Sequence, residues 1–99
     1  MKNNNINHKK IAKLFKALSE PMRVKIIDTI SSGELCACEV LKSLSISQST
    51  LSHHMKILMA CDLVIGRKKA TWMYYSINRK TVNNMLDILM LITSKKSRE

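Results

Sequence analysis

Proline and glycine are nearly missing from this sequence, one and two residues in 99, and aromatic side chains make up only 4%. So little glycine excludes a collagen-like repeat and leaves no phosphate-cradling loop. Three cysteines are too few for a disulfide-dense mini-protein. No apolar run reaches the roughly 18 residues of a membrane-spanning helix. Acidic residues are scarce, seven against 17 lysines and arginines. No Ser/His/Asp ordering and no pair of carboxylates with room for a substrate suggests an enzyme. The chain is also too short for a large catalytic fold and has the length of one domain. What it does have is apolar material, 45% of residues, which argues against a disordered tail. A core of this size is limited, and a second copy of the chain could complete it. The first ten residues, Met1 to Lys10, are polar and basic with no apolar h-region. The expectation is therefore a cytoplasmic chain without a signal peptide.

The net charge of +10 is unevenly spread. Residues 1–30 and 61–99 each carry an excess of five positive charges, whereas residues 31–60 are neutral. Such a balance favours a polyanion, nucleic acid being the commonest. A solvated surface or an anionic membrane would also suit it. Against the membrane, the basic N-terminal segment has only a modest apolar stripe and no clustered aromatic anchor.

Hydrophobic spacing divides the chain into a polar lead-in (1–8), a folded domain (9–92) and a basic tail (93–99). Ile11, Leu14, Phe15 and Leu18 recur at helical spacing, with Lys9, Lys10, Lys13 and Lys16 around the other face. Ser19-Glu20-Pro21 reads as a stop and restart, Ser19 capping a second helix through Met22, Ile26, Ile27 and Ile30 to Gly33. A short third helix is expected from about Glu34 to Leu44. After Ser45-Ile46-Ser47, with Ser47 as N-cap, a fourth runs through Gln48 to Leu58. Two helices joined so tightly, the second opening on small polar residues, describe a helix-turn-helix; an ordinary helical hairpin with a wet face fits too.

After Asp62 the period changes from 3.6 to 2. Leu63-Val64-Ile65 reads as a strand, Gly66 to Ala70 as a basic turn bearing Arg67, Lys68 and Lys69, and Thr71 to Ile77 as a second strand. A hairpin tipped with cations suits a DNA-binding wing, and equally an edge hairpin guarded by lysines. Asn78 can cap a last helix through Val82, Met85, Leu86, Leu89, Met90 and Ile92. This segment is apolar around most of its circumference, so part of it is expected to cover the core. The rest, with the first helix, is expected to form a homodimer surface.

The fold class is thus mainly α with a small β-hairpin, in the order ααααββα, a winged helix-turn-helix. This constellation resembles the ArsR/SmtB family of winged helix-turn-helix repressors. The residues that carry the likeness are Leu18-Ser19-Glu20-Pro21-Met22-Arg23, Glu34-Leu35-Cys36-Ala37-Cys38-Glu39-Val40, Ser47-Gln48-Ser49-Thr50-Leu51-Ser52-His53-His54-Met55-Lys56-Ile57-Leu58, and Leu63-Val64 leading to Trp72-Met73-Tyr74-Tyr75. It covers roughly residues 9–92. What it implies is a homodimeric repressor that binds an inverted-repeat operator in double-stranded DNA and lets go when its inducer binds. Glu-Leu-Cys-x-Cys-Glu is similar to the As(III)- and Sb(III)-responsive members, with Cys36 and Cys38 on two thiol positions. The third cysteine of some such sensors falls on Leu41. Cadmium/lead sensors of the family add cysteines in an N-terminal extension, and residues 1–30 have none. The zinc type uses His and carboxylates on the last helix, where residues 78–92 hold only Asp87. Alternatives are a Cd(II), Pb(II), Zn(II) or thiol-redox response, or a DNA-binding regulator without ligand.

Soft ions and metalloids suit thiolates. In an ideal helix residues two apart are separated by about 200°. Both cysteines fall on the third helix, so their sulfurs are expected to point apart, and joint ligation must distort its first turn and re-aim the fourth. Cys61 is read as a core thiol, with a third sulfur ligand as its other use. His53 and His54 lie about 100° apart, one expected toward DNA and the other inward; His8 is isolated. By resemblance and polarity, Gln48, Ser49, Thr50, Ser52 and His53 are the candidates for the major groove. Lys56, Arg67, Lys68 and Lys69 are the candidates for phosphate and minor groove.

Overall fold

The computed structural model describes residues 6–94, so most of the expected lead-in and tail lies outside the described residues. Five helices and a small sheet follow in the order α1 (His8–Ala17), α2 (Pro21–Thr29), β1 (Leu35–Cys36), α3 (Ala37–Leu44), α4 (Gln48–Ala60), β2 (Val64–Lys69), β3 (Trp72–Ile77) and α5 (Arg79–Thr93). The winged helix-turn-helix expected from the sequence is present, with one added strand. Among the described residues no helix is long and apolar enough to cross a membrane.

Local chemistry sets the boundaries. Asn7 accepts from the Lys10 amide at 3.0 Å and starts α1 at His8, which is therefore helical and not part of a lead-in. Glu20, not Ser19, caps α2: its Oε1 accepts from the Met22 and Arg23 amides at 2.7 and 3.2 Å. Pro21 is the first helical residue, so the cap falls on its immediate neighbour, while the Ser19 hydroxyl donates back to the Lys16 carbonyl at 2.7 Å. Ser47 caps α4 through the Thr50 amide, and Asn78 caps α5 through the Thr81 amide, both as expected.

Three more boundaries differ from expectation. The third helix does not begin at Glu34. Leu35 and Cys36 are extended and pair antiparallel with Tyr75 and Tyr74 of β3, making a sheet of order β1-β3-β2. The reason lies in a capping box: the Cys36 amide donates to Glu39 Oε1 at 2.9 Å, so Cys36 is the N-cap and Ala37 the first helical residue. Nor is Gly66 to Ala70 a turn. Gly66 through Lys69 continue β2, Lys69 faces Trp72, and only Ala70-Thr71 connect the strands. Such a short loop needs a residue at positive φ; Ala70 takes it, at φ 58°. Leu63, expected in the strand, precedes it, its amide donating to the Leu58 carbonyl at 3.0 Å.

The core gathers Ile26 and Ile30 of α2 with Val40 of α3, Leu51, Met55 and Leu58 of α4, then Leu63 and Tyr75. Ile11 and Leu14 of α1 and Met85 of α5 extend it to the other end. Met85, expected on the dimer surface, is thus buried in the chain's own core. Gly66 lets β2 pass close by: a Cβ there would lie 2.6 Å from Met59 Sδ and 2.9 Å from Met73 Cε.

Candidate thiol site and nucleic-acid interface

The thiol pair straddles the end of β1 and the start of α3. Cys36 sits in an extended conformation (φ −69°, ψ 146°), while Cys38 is already helical. The premise that both lie on one helix therefore fails. Instead of pointing apart, the sulfurs meet: the Cys38 thiol donates to Cys36 Sγ at 2.8 Å, and the Cys38 amide to the same sulfur at 3.4 Å. No unwinding of α3 is needed to bring them to one ligand. Cys36 is buried and Cys38 exposed, so a small solute reaches the pair from one side. The hydrogen bond to Cys36 holds the Cys38 proton in place and raises its pKa; desolvation and the Glu39 carboxylate push the same way. Among the described residues no group of three or more His, Cys, Asp or Glu side chains is placed to hold a metal ion. Cys61 is half-buried against the core, its thiol turned to the Leu58 carbonyl at 3.4 Å, in keeping with a core thiol.

Beside the thiols stands a charged pair that periodicity alone does not reveal. Arg67 Nε and Nη2 of β2 donate to Glu34 Oε2 and Oε1, each at 2.8 Å, and the guanidinium lies 5.3 Å from the centroid of the Tyr74 ring. The guanidinium holds the Glu34 carboxyl below the usual carboxylate range. Lys68 and Lys69 follow on β2, exposed, with exposed Trp72 opposite Lys69 at the end of the hairpin.

On α4 the face away from the core carries Gln48, Ser49, Thr50, Ser52, His53 and Lys56, all exposed. The Ser47 hydroxyl donates to Thr50 Oγ1 at 2.8 Å and lies 3.3 Å from Ser49 Oγ, so this end of α4 presents a cluster of ordered hydroxyls. His54 points the other way, as expected for one of the two histidines. It is buried, with Nδ1 3.3 Å from Arg23 Nη1. A guanidinium only donates, so Nδ1 is the acceptor of a neutral ring. Burial lowers the His54 pKa; the Glu20 carboxylate opposes this, while the Arg23 and His53 charges add to it. Arg23 in turn donates to the Ala17 carbonyl at 2.6 Å, joining α4 to the α1–α2 corner.

At the far end α1 and α5 meet. Leu86, Leu89, Met90, Leu91 and Ile92 of α5 and Phe15 of α1 are exposed. An open groove of about 890 Å³ runs between the two helices, with Ile11, Leu14, Cys61, Ile88 and Leu91 in its walls. Two features of the site are not expected from the sequence, the β1 strand and the Glu34–Arg67 pair. The capping-box spacing of Cys36 and Glu39 was the available signal for the first; for the second no local signal exists, since 33 residues separate the partners.

Comparison with known proteins bears on this arrangement. Residues 20–65, from the cap of α2 into β2, match the family model described as bacterial regulatory protein, arsR family. The chain is 41% identical to the arsenical resistance operon repressor of Staphylococcus xylosus over 87 residues, 85% of this chain and 84% of that protein. It is 37% identical over 93 residues to the protein of the same name from Staphylococcus aureus, 94% of this chain and 89% of the other. An ArsR-like transcriptional regulator from Rhodococcus sp. RHA1 superimposes with a TM-score of 0.78 at 25% identity, over 86% of this chain and 80% of that one.

Proposed function

The chain belongs to the arsR family of bacterial regulatory proteins, and from that premise we propose that it is a cytoplasmic repressor releasing its operator when trivalent arsenic or antimony binds Cys36 and Cys38. The observation that carries this reading is the pair of adjoining sulfurs, one solvent-exposed, where β1 of the sheet that includes the basic wing meets α3. Ordinary thiols carry their protons at neutral pH, and that chemistry suits a metalloid hydroxide without any need to ionise the pair first. Arsenite reaches the protein as neutral As(OH)₃. For each thiol taken, an As–S bond replaces an As–O bond, and the thiol proton leaves with the displaced hydroxide as water; nothing is oxidised. A divalent cation has no hydroxide to accept those protons and must expel them against the pKa, so its affinity is strongly pH-dependent.

In this reading Gln48, Ser49, Thr50, Ser52 and His53 address base edges in the major groove, and Lys56, Lys68 and Lys69 address phosphates. A second copy covers the α1–α5 end through Leu86, Leu89 and Met90, with Val82 at its margin. Two-fold symmetry then sets an inverted-repeat operator with half-site centres about 34–36 Å, or a multiple, apart. The exposed apolar side chains of α5 support that pairing.

The test titrates the operator complex with arsenite, antimonite, cadmium and zinc, followed by fluorescence anisotropy, for the parent and for Cys36→Ser/Cys38→Ser. Release of the parent by arsenite or antimonite, at a concentration flat between about pH 6 and 8, with the double variant staying bound, is the expected result. Release by cadmium or zinc alone assigns a divalent cation instead. A double variant that still lets go under arsenite removes the thiols from the function.

A further inference from the structure

We propose that the Glu34–Arg67 pair, folded over Tyr74, is the clasp through which occupancy of the Cys36–Cys38 thiols moves the wing, Arg67 acting as a positioning residue rather than as a phosphate contact. The inference rests on the thiol-sensing reading above and names how that site is read out.

Three strands place the parts in one row. Cys36 of β1 faces Tyr74 of β3, and Tyr74 faces Arg67 of β2. Residues directly opposite across a sheet share a face, with Cβ atoms about 4.5–5.5 Å apart. Arg67 then reaches back over the Tyr74 ring to the carboxylate of Glu34, two residues before Cys36. Both fork nitrogens are engaged at 2.8 Å, the geometry that fixes a guanidinium in one place. The side chains are half-exposed, 51% for Arg67 and 33% for Glu34, so the pair adds little to stability. Its consequence is positional. An Arg67 turned outward to phosphate would leave the Glu34 carboxylate unpaired beside the polyanion.

Cys36 belongs to three structures at once: the β1–β3 ladder, the cap of α3 and the thiol pair. A ligand that draws the two sulfurs to bonding distance from itself therefore pulls on the backbone at Glu34–Cys36. The nearest part of the DNA-binding surface tied to that backbone is the wing, through β3 and through the clasp. The fourth helix is reached across α3 and the core, or through β2 of the wing, which packs against it. A two-state displacement of the hairpin, biased at one end by the thiols and at the other by DNA, is the physical form of the coupling.

The readout is the ratio of operator Kd with the thiols occupied to Kd with them free, in a Cys61→Ser background. Arsenite occupies them in one arm and iodoacetamide alkylates them in the other. Glu34→Gln and Arg67→Met are each expected to lower that ratio at least about five-fold, while the double variant lowers it no further than either single. The exchange Glu34→Arg/Arg67→Glu should restore most of it. Trp72, the only tryptophan in the sequence, gives a second reading without DNA: its emission should respond to thiol occupancy in the parent and not in Glu34→Gln. Unchanged ratios in both single variants overturn the clasp. So does a strictly additive cycle, or an Arg67→Met whose sole effect is a uniform loss of affinity with a shallower salt dependence, the mark of a phosphate contact. If alkylation weakens operator binding and arsenite does not, the inducer assignment fails and the alkylation arm decides the clasp alone. If neither reagent weakens it in the parent, both fail.

Discussion

The two ends of the molecule solve the problem of unsatisfied surface in opposite ways. At the corner of β1, α3 and the wing, polar groups find partners within the chain: thiol with thiol, Cys36 amide with Glu39, Glu34 with Arg67. At the α1–α5 end, apolar groups do not: Met90 is 70% exposed and Leu86 54%. The thiol corner is thus built by one copy alone, whereas the other end has apolar area left to bury. The geometry of the thiol pair is a property of the single chain; in the proposed repressor, the arrangement of two copies of α4 on DNA needs a pair.

The sharpest way to break this contrast is to charge the apolar end. Leu89→Glu/Met90→Glu is expected to shift the dimer to monomer by at least about 100-fold in dissociation constant, or roughly 3 kcal/mol. Sedimentation velocity checks it, and arsenite binding at the thiols should be unaffected. If arsenite binding is lost with the dimer, the thiol corner is not self-sufficient.

Gly66→Ala probes the wing's seat. The new Cβ meets Met59 Sδ and Met73 Cε, the outer atoms of flexible side chains, so the expected cost is only about 1 kcal/mol, read by urea denaturation. A variant that fails to fold would mean that the wing cannot shift by even a few tenths of an ångström against α4.

His54, between the two regions, predicts a pH effect. Its folded-state pKa is lowered by burial, so the folded state favours the neutral ring. Its stabilising contribution is complete above the ordinary histidine pKa of about 6.5. It declines as pH falls below that toward the depressed folded value, because the unfolded chain binds the proton first. Thermal melts from pH 8 to 5 should show Tm dropping on the acid side, with a shallower drop in His54→Asn, which offers Arg23 an acceptor that does not titrate there.

The smallest effect is expected at the hairpin tip. Ala70→Gly relieves a left-handed φ of 58° and should stabilise by about 0.5–1 kcal/mol, without change at either end of the molecule. Measured destabilisation would assign Ala70 a packing role instead.

Much of this architecture was legible from periodicity. Leu51, Met55 and Leu58 at helical spacing pack into the core, Ser47 and Asn78 cap as their types demand, and the shift to period 2 after Asp62 is the wing. The outward polar face of α4, from Gln48 to Lys56, follows from the same spacing. The misplaced boundaries share one cause. Residue preferences within a few positions point to Ser19, Glu34 and Gly66, whereas Pro21 geometry, strand pairing with β3 and the Lys69–Trp72 register decide the outcome.

The amino-acid pattern alone determined the order of helices, the inward and outward faces of α4, the basic wing and the presence of two neighbouring thiols, because these depend on local spacing and side-chain type. Whether those thiols meet was a tertiary decision. Pairing with β3 and the Cys36–Glu39 capping box drew Leu35 and Cys36 out of the helix, and at this strand-to-helix junction the two sulfurs meet on one side, as they would not within a helix. The Glu34–Arg67 clasp likewise required the sheet to close, since a contact between partners 33 positions apart has no trace in either one's neighbourhood.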